Sequence, residues 1–387
     1  MVSLTRSRKF VAFMSLVIFV FMILPLNANA AELPLKAESA VLLDAASGQV
    51  LYEKDPHKIL YPASMTKLMT LIVAMDAIRE GKAKMTDMVT ASPNAASYKG
   101  SRIFLTAGEK LTLQEMMLGI ALASGNDACV AVAEHLTGSH EAFVDLMNQK
   151  AEELGLKNTH FVNSNGLHDP NHYTTAYDFA QIGLCALSYP EIMEMCKIKH
   201  YRIREDTRPF QYDNSNKLLW FYEGVDGFKT GWTNDAKYCF TGTVERNGLR
   251  FVSTVMGITE KGGHFADTKQ LYNWGFSQYT YKQFYKQNEA IGSIQAGKGQ
   301  ADSVTVIPER KVGVTLAKGQ DKNVETKVEM LGAVDAPIQK GQVIGRVFVT
   351  QNGEIRDQVN LLAGEDVPKG SWWKEFKKVM KATVTGG

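Results

Sequence analysis

The stretch from Tyr61 to Met75 is apolar on nearly every helical face and carries a single charge, Lys67. A helix that is apolar all round has to be buried, so the chain must fold around this segment. An ammonium in such a place is costly unless it is paired or gives up its proton. A lysine that can give up its proton is a base. Ser64 lies three residues earlier, on the same helix face. A serine beside a base is an activated nucleophile.

The first 30 residues stand apart from any fold. Arg6, Arg8 and Lys9 precede an apolar run, Phe10 to Leu24, which Pro25 breaks and the small-x-small sequence Ala28-Asn29-Ala30 follows. That order reads as a secretory signal peptide, residues 1–30. The competing reading is a retained anchor; the run is shorter than the ~20 residues of a membrane span, which favours cleavage. The chain of 387 residues has 43 Lys+Arg and 41 Asp+Glu, and three of those cations lie in 1–30, leaving 40 against 41. Without a basic excess, nothing points to nucleic acid. Export implies an oxidising compartment, yet Cys129, Cys185, Cys196 and Cys239 match no metal or redox spacing. They read as small buried hydrophobes, with a Cys185–Cys196 disulfide as the open alternative.

Along the remaining chain the periodicity changes once. Ala40 to Leu43 and Gln49 to Tyr52 flank a turn and read as paired strands. Thr112-x-x-Glu115 is a capping box opening an apolar helix. Helical runs follow at 129–136, 140–154 and 175–188, punctuated by Gly138, Gly155 and Pro190. Tyr238 to Arg246 and Leu249 to Met256 flank Asn247-Gly248, a strong hairpin signal. A last helical run spans about 265–276. Residues 31–282 therefore read as an α/β (α+β) domain of helices around an antiparallel sheet. From 283 to 368, β-branched runs such as Ser303 to Ile307, Val312 to Leu316 and Val343 to Thr350 alternate with turn signals, which suggests a small all-β domain.

The tail, 369–387, differs again. At about 100° per residue, Trp372, Trp373, Phe376, Val379 and Met380 share one face, with Lys374, Lys377, Lys378 and Lys381 opposite. A basic amphipathic helix with two tryptophans reads as an interfacial membrane anchor. A helix docked on its own protein is the alternative.

Ser64-x-x-Lys67 alone is weak; Ser371-x-x-Lys374 repeats it in the tail. Two companions make it specific. Ser124-Gly125-Asn126 follows an apolar helix, and Lys229-Thr230-Gly231, which occurs once, lies on an expected strand. Ser-x-Asn also has a decoy, Ser92-Pro93-Asn94. Three motifs in this order are the signature of penicillin-recognising serine enzymes. The chain resembles the low-molecular-mass penicillin-binding proteins, the serine-type D-alanyl-D-alanine carboxypeptidases, near to those of Bacillus-type bacteria. The likeness runs from the Ala40–Tyr52 hairpin through Gly100 to Phe104, Asn163 to Asp178 and Val225 to Gly231, and takes in the β domain and the tail.

The resemblance implies a penicillin-binding, β-lactamase-like catalytic fold and a role for each motif residue. Ser64 would attack the terminal D-Ala-D-Ala peptide bond and become acylated, with Lys67 as its base. Ser124 would relay a proton to the leaving amine. Asn126, Lys229 and Thr230 would hold the substrate, with Gly231 beside them. Backbone N–H groups of Ser64 and Trp232 would form the oxyanion hole. Lys229 should help to depress the Lys67 pKa. Implied partners are peptidoglycan stem peptides, β-lactams as covalent inhibitors, and the outer face of the cytoplasmic membrane. No cofactor or metal is implied.

Two departures bear on this. Trp232 stands where many relatives carry histidine. An arginine expected near 259–264 is missing, with Lys261 or His264 as substitutes. His168 and His172 are spaced as a metal pair, but Pro170 between them favours a structural role. Alternatives with the same site are a D,D-endopeptidase or a β-lactamase; a silent wall-binding protein is the third.

Overall fold

The computed structural model describes residues 33–205 and 207–371. The expected signal peptide and the amphipathic face from Trp372 onward lie outside the described residues. Two compact units are distinguished, Met1–Leu35 and Lys36–Gly387. In the first, the Leu35 N–H donates to Leu33 O at 2.7 Å. Among the described residues, no helix is long and apolar enough to cross a membrane.

The second unit begins with strands β1 (Ser39–Asp44) and β2 (Val50–Lys54). Helix α1 (Lys67–Arg79) follows. It packs against α2 (Leu113–Ala121), α3 (Asn126–Thr137), α4 (His140–Glu153) and α5 (Ala176–Ala186). Neighbours on all sides explain why α1 is apolar all round: every residue from Lys67 to Met75 is buried. Strands β3 (Val225–Thr233), β4 (Lys237–Arg246) and β5 (Leu249–Ile258) complete an antiparallel sheet in the order β2-β1-β5-β4-β3. Helix α6 (Gly263–Gln278) covers β5 and β4, and α5 packs on β5 and β1.

Local signals placed these elements well. Thr112 and Glu115 form the reciprocal capping box. Asn247 and Gly248 adopt φ of 50° and 81°, the left-handed pair that a type I′ hairpin turn requires. Gly138, at φ 81°, closes α3. Pro190, expected only to end a helix, also opens the short helix Pro190–Lys197 from its first position. The expected helix through Ser64 is instead a tight 3₁₀ turn, Ala63–Thr66, with the α-helix starting at Lys67.

Beyond α6, the regular elements among the described residues are all strands. Tyr279–Tyr285 runs across the 282/283 boundary expected from sequence and pairs with Val312–Ala317. A six-stranded sheet is ordered Val324–Met330, Val343–Gln351, Glu354–Ala363, Ser303–Pro308, Gly292–Gly297, Ala333–Asp335. Its valines and leucines form a core of their own, distinct from the one around α1. The observed architecture is thus helices around an antiparallel sheet, followed by a β-rich portion.

Candidate active site

Pro62 and the 3₁₀ turn bring Ser64 over the first residue of α1. Side chains at i and i+3 eclipse in a 3₁₀ turn, tighter than on an α-helix. Lys67 Nζ accordingly lies 2.8 Å from Ser64 Oγ, and it also donates to the Asn165 carbonyl at 2.5 Å. Lys67 is wholly buried. Burial lowers its pKa from 10.5 to about 8, while Cys129 and Asp127 pull it back up. Asp127 itself is committed elsewhere: its oxygens accept the Ile103 and Leu105 N–H groups at 3.0 Å each. It fixes the segment facing α3 and makes no hydrogen bond to the lysine.

The second motif lies at the start of α3. Ser124 holds a left-handed φ of 59°, and its buried Oγ has no hydrogen-bond partner. Such strain in a non-glycine residue persists only where surroundings enforce it. Asn126 is buried, with Nδ2 donating to Lys99 O at 2.6 Å. A Cβ on Gly100 would come 2.8 Å from that Nδ2, so the Lys99–Arg102 segment can close on Asn126 only with glycine there.

The third motif is on β3, which passes directly beside the Ser64 turn. A Cβ on Gly231 would lie 2.6 Å from Pro62 O and 3.2 Å from Ala63 Cβ, so the approach needs glycine. Lys229 is buried; burial first, and the charge of Lys67 second, lower its pKa to about 7. The expectation that Lys229 depresses Lys67 is therefore recast. Burial dominates at Lys67, and the repulsion between the two cations falls on Lys229. Thr230 Oγ1 donates to Ser215 Oγ at 2.9 Å. Trp232 is 54% exposed, its ring 6.0 Å from that of Tyr238.

The structure adds a group that the motifs do not contain. The Asn163–Leu167 turn reaches Lys67 through the Asn165 carbonyl. Asn163 Oδ1 accepts the Asn165 and Gly166 N–H groups at 3.2 and 2.7 Å, and Asn165 Oδ1 accepts that of Leu167 at 3.0 Å. Gly166, at φ 82°, leaves no room for a Cβ, which would fall 1.8 Å from Ala63 O. Ser215 is likewise absent from the motifs. The asparagines and glycine signal a turn in the sequence; nothing local signals that its carbonyl meets a lysine 98 residues away.

Other sequence candidates resolve as structural. His172 is buried, bonded to Thr66 Oγ1 and Val162 N, and burial lowers its pKa to about 3. His168 instead packs edge-on against Tyr61. Among the described residues no cluster of three or more His, Cys, Asp or Glu could hold a metal. Ser92 caps the helix Pro93–Ser97, and Asn94 donates to Glu134 at 2.7 Å, so that Ser-x-Asn is a helix start. All four cysteines are free, Cys185 and Cys196 included. Burial pushes the Cys129 and Cys239 thiols up to about 12. His264 does not replace the missing arginine as a charge: buried and stacked on Tyr238 at 5.3 Å, it has its pKa lowered to about 4. Lys261 is exposed.

Comparison with known proteins identifies the family. The family profile described as D-alanyl-D-alanine carboxypeptidase, peptidase S11, matches residues 27–260. That of the penicillin-binding protein 5 C-terminal domain matches 279–369. The chain is 40% identical to D-alanyl-D-alanine carboxypeptidase DacF of Bacillus subtilis, over 84% of this chain and 85% of that one. It is 34% identical to DacA of Escherichia coli, over 83% and 81%. The crystal structure of penicillin binding protein 5 from Haemophilus influenzae superposes with a TM-score of 0.68 at 33% identity, covering 88% of this chain and all of that one. The chain belongs to the peptidase S11 family of D-alanyl-D-alanine carboxypeptidases.

Proposed function

We propose that Ser64 attacks the carbonyl of a terminal D-Ala-D-Ala bond in peptidoglycan stem peptides, releases D-alanine, and passes the acyl group to water. The observation that carries this reading is the wholly buried Lys67, 2.8 Å from Ser64 Oγ and with its pKa brought down to about 8. A base is most effective when its pKa lies near the working pH. Lys67 takes the hydroxyl proton as Ser64 adds to the carbonyl, and the Ser64 and Trp232 N–H groups hold the oxyanion. Ser124, whose Oγ is free of protein partners, hands a proton to the leaving amine. Asn126 binds the substrate peptide. Lys229 and Thr230 offer positive potential and a hydroxyl to its carboxylate, and Gly231 keeps β3 close enough for both to act.

β-Lactams acylate the same serine in this reading. Incubation with a labelled penicillin and with a D-Ala-D-Ala peptide tests it: Ser64 becomes labelled and free D-alanine accumulates. If neither occurs, the protein is a silent binder. Rapid penicillin turnover would make it a β-lactamase. Cleavage of cross-links but not of free stem peptides would make it an endopeptidase.

The reading also assigns 1–30 as a cleaved export signal, 31–282 and 283–368 as the two domains, and 369–387 as a peripheral anchor. The enzyme then works on the outer face of the cytoplasmic membrane, towards the wall. Deleting 369–387 should release it from the membrane fraction; unchanged fractionation would sink the anchor.

A further inference from the structure

Two histidines hold the turn that reaches Lys67. His140 is the first residue of α4, directly after its cap Ser139. Its Nε2 accepts the Ser164 backbone N–H at 3.2 Å and lies 2.9 Å from Ser164 Oγ. A backbone N–H only donates, so Nε2 carries a lone pair and the ring is the neutral Nδ1–H tautomer. At the other side of the turn, His172 Nδ1 accepts the Val162 N–H at 3.1 Å. Its Nε2–H then donates to Thr66 Oγ1 at 2.8 Å.

Ser164 is therefore fixed at both ends of its backbone. His140 takes its N–H, and Thr70 Oγ1, on α1, donates to its carbonyl at 2.6 Å. The next carbonyl is the one on Lys67. A neutral amine has two hydrogens and one lone pair. With one hydrogen held by Asn165 O, fewer rotations of the amine are open, and among them is the one that turns the lone pair to Ser64 Oγ.

We propose that His140 is a positioning residue of the acylation step: its unprotonated Nε2 anchors Ser164 and, through the Asn165 carbonyl, orients the Lys67 amine on Ser64. This rests on the reading of Ser64 and Lys67 as nucleophile and base. The surroundings keep the ring neutral. Burial lowers its pKa, with Glu141 on its own helix and Glu134 on α3 pulling the other way. The Tyr98 ring stands edge-on at 6.1 Å. The α4 N-terminus opposes an imidazolium as well. A protonated Nε2 would face the Ser164 N–H donor to donor and release the turn.

The test is the rate of Ser64 acylation by a fluorescent penicillin, against pH and penicillin concentration. It compares the full-length protein with His140→Leu and His140→Gln, each followed by thermal unfolding. Gln places its Oε1 as many bonds from Cα as Nε2, accepts the same N–H, and never protonates. His140→Leu should slow acylation by about 10-fold or more with the half-saturating penicillin concentration little changed, because small misplacements of a reacting group are costly in rate. His140→Gln should recover most of the rate and lose it less steeply than the wild type as pH falls. A folded Leu variant acylating at the wild-type rate overturns the proposal, as does a folded Gln variant as slow as Leu. Should Leu not fold, a Gln variant with the wild-type acid slope overturns it. No labelling of the wild type would strike the Ser64 reading itself, and this inference with it; the variant outcomes strike the inference alone.

Discussion

Lys67 is expensive to bury, and that expense is measurable separately from catalysis. Its pKa falls from 10.5 to about 8 on folding. Between those values the folded state binds fewer protons than the unfolded chain, so stability rises with pH through this window. Below about 8 the cost is present in full, on the order of 3 kcal/mol from the size of the shift. Lys67→Met keeps the length and removes the charge. We expect it to abolish acylation and to gain stability most below the folded pKa, with the gain fading as pH approaches that of free lysine. Urea unfolding at acidic and alkaline pH reads the difference. A gain that does not change with pH would mean that Lys67 is not held as a buried base. Lys67→Arg cannot deprotonate, and retained acylation there would overturn the base assignment.

At the scale of elements, the site depends on β3 lying against the 3₁₀ turn. Gly231→Ala places a methyl 2.6 Å from Pro62 O, and a backbone atom cannot yield as a flexible side chain would. The strand and the turn must part. Overpacking of this kind costs about 1–3 kcal/mol, while an ångström of misplacement in the reacting groups costs about 100-fold in rate. Acylation should therefore fall far more than thermal stability does. Equal wild-type rates would mean that the turn and strand can separate without disturbing Ser64.

The same contact marks what could be read from the sequence. Thr112, Gly138 and Asn247-Gly248 act within a few residues of themselves, so their elements were legible. The three motifs were legible too, because each is a local string with demanding chemistry. Ala63, at φ 47°, adopts a conformation alanine does not choose. β3 and the Gly166 backbone, both packed on it from far along the chain, accompany that choice, and the 3₁₀ turn replaces the expected helix. Asn165 contributes a carbonyl, which every residue carries, so no residue type could announce it. His140 and Ser215 act through partners that only the fold supplies.

Across the whole second unit, the β-rich portion is tied to the catalytic sheet by a chain of charges that ends near the site. Arg250 on β5 grips Asp226 with two parallel hydrogen bonds, 2.9 and 2.8 Å, three residues before Lys229 on β3. It also bonds Glu245 on β4 at 2.6 Å. Lys311, from the β-rich portion, bonds the same Glu245 and donates to Gly248 O at 2.8 Å. The two cations are not equivalent. Arg250 is the more enclosed, and Arg250→Met would leave Asp226 without its cation, beside a Glu245 that keeps only Lys311. Breaking a largely buried pair costs on the order of 3 kcal/mol. Lys311 is about a third exposed and replaceable by water. Its loss should cost ~1 kcal/mol or less. Thr315 Oγ1 to Asp44 Oδ1 at 2.6 Å and Lys318 Nζ to Phe276 O at 2.9 Å would still hold the portion in place. Denaturant unfolding of Arg250→Met and Lys311→Met should thus differ several-fold in lost stability, and only the former should slow Ser64 acylation, through Asp226 and β3. Equal losses would mean that Lys311 organises the junction as much as Arg250 does, and equal slowing of acylation that the β-rich portion acts on the catalytic strand itself.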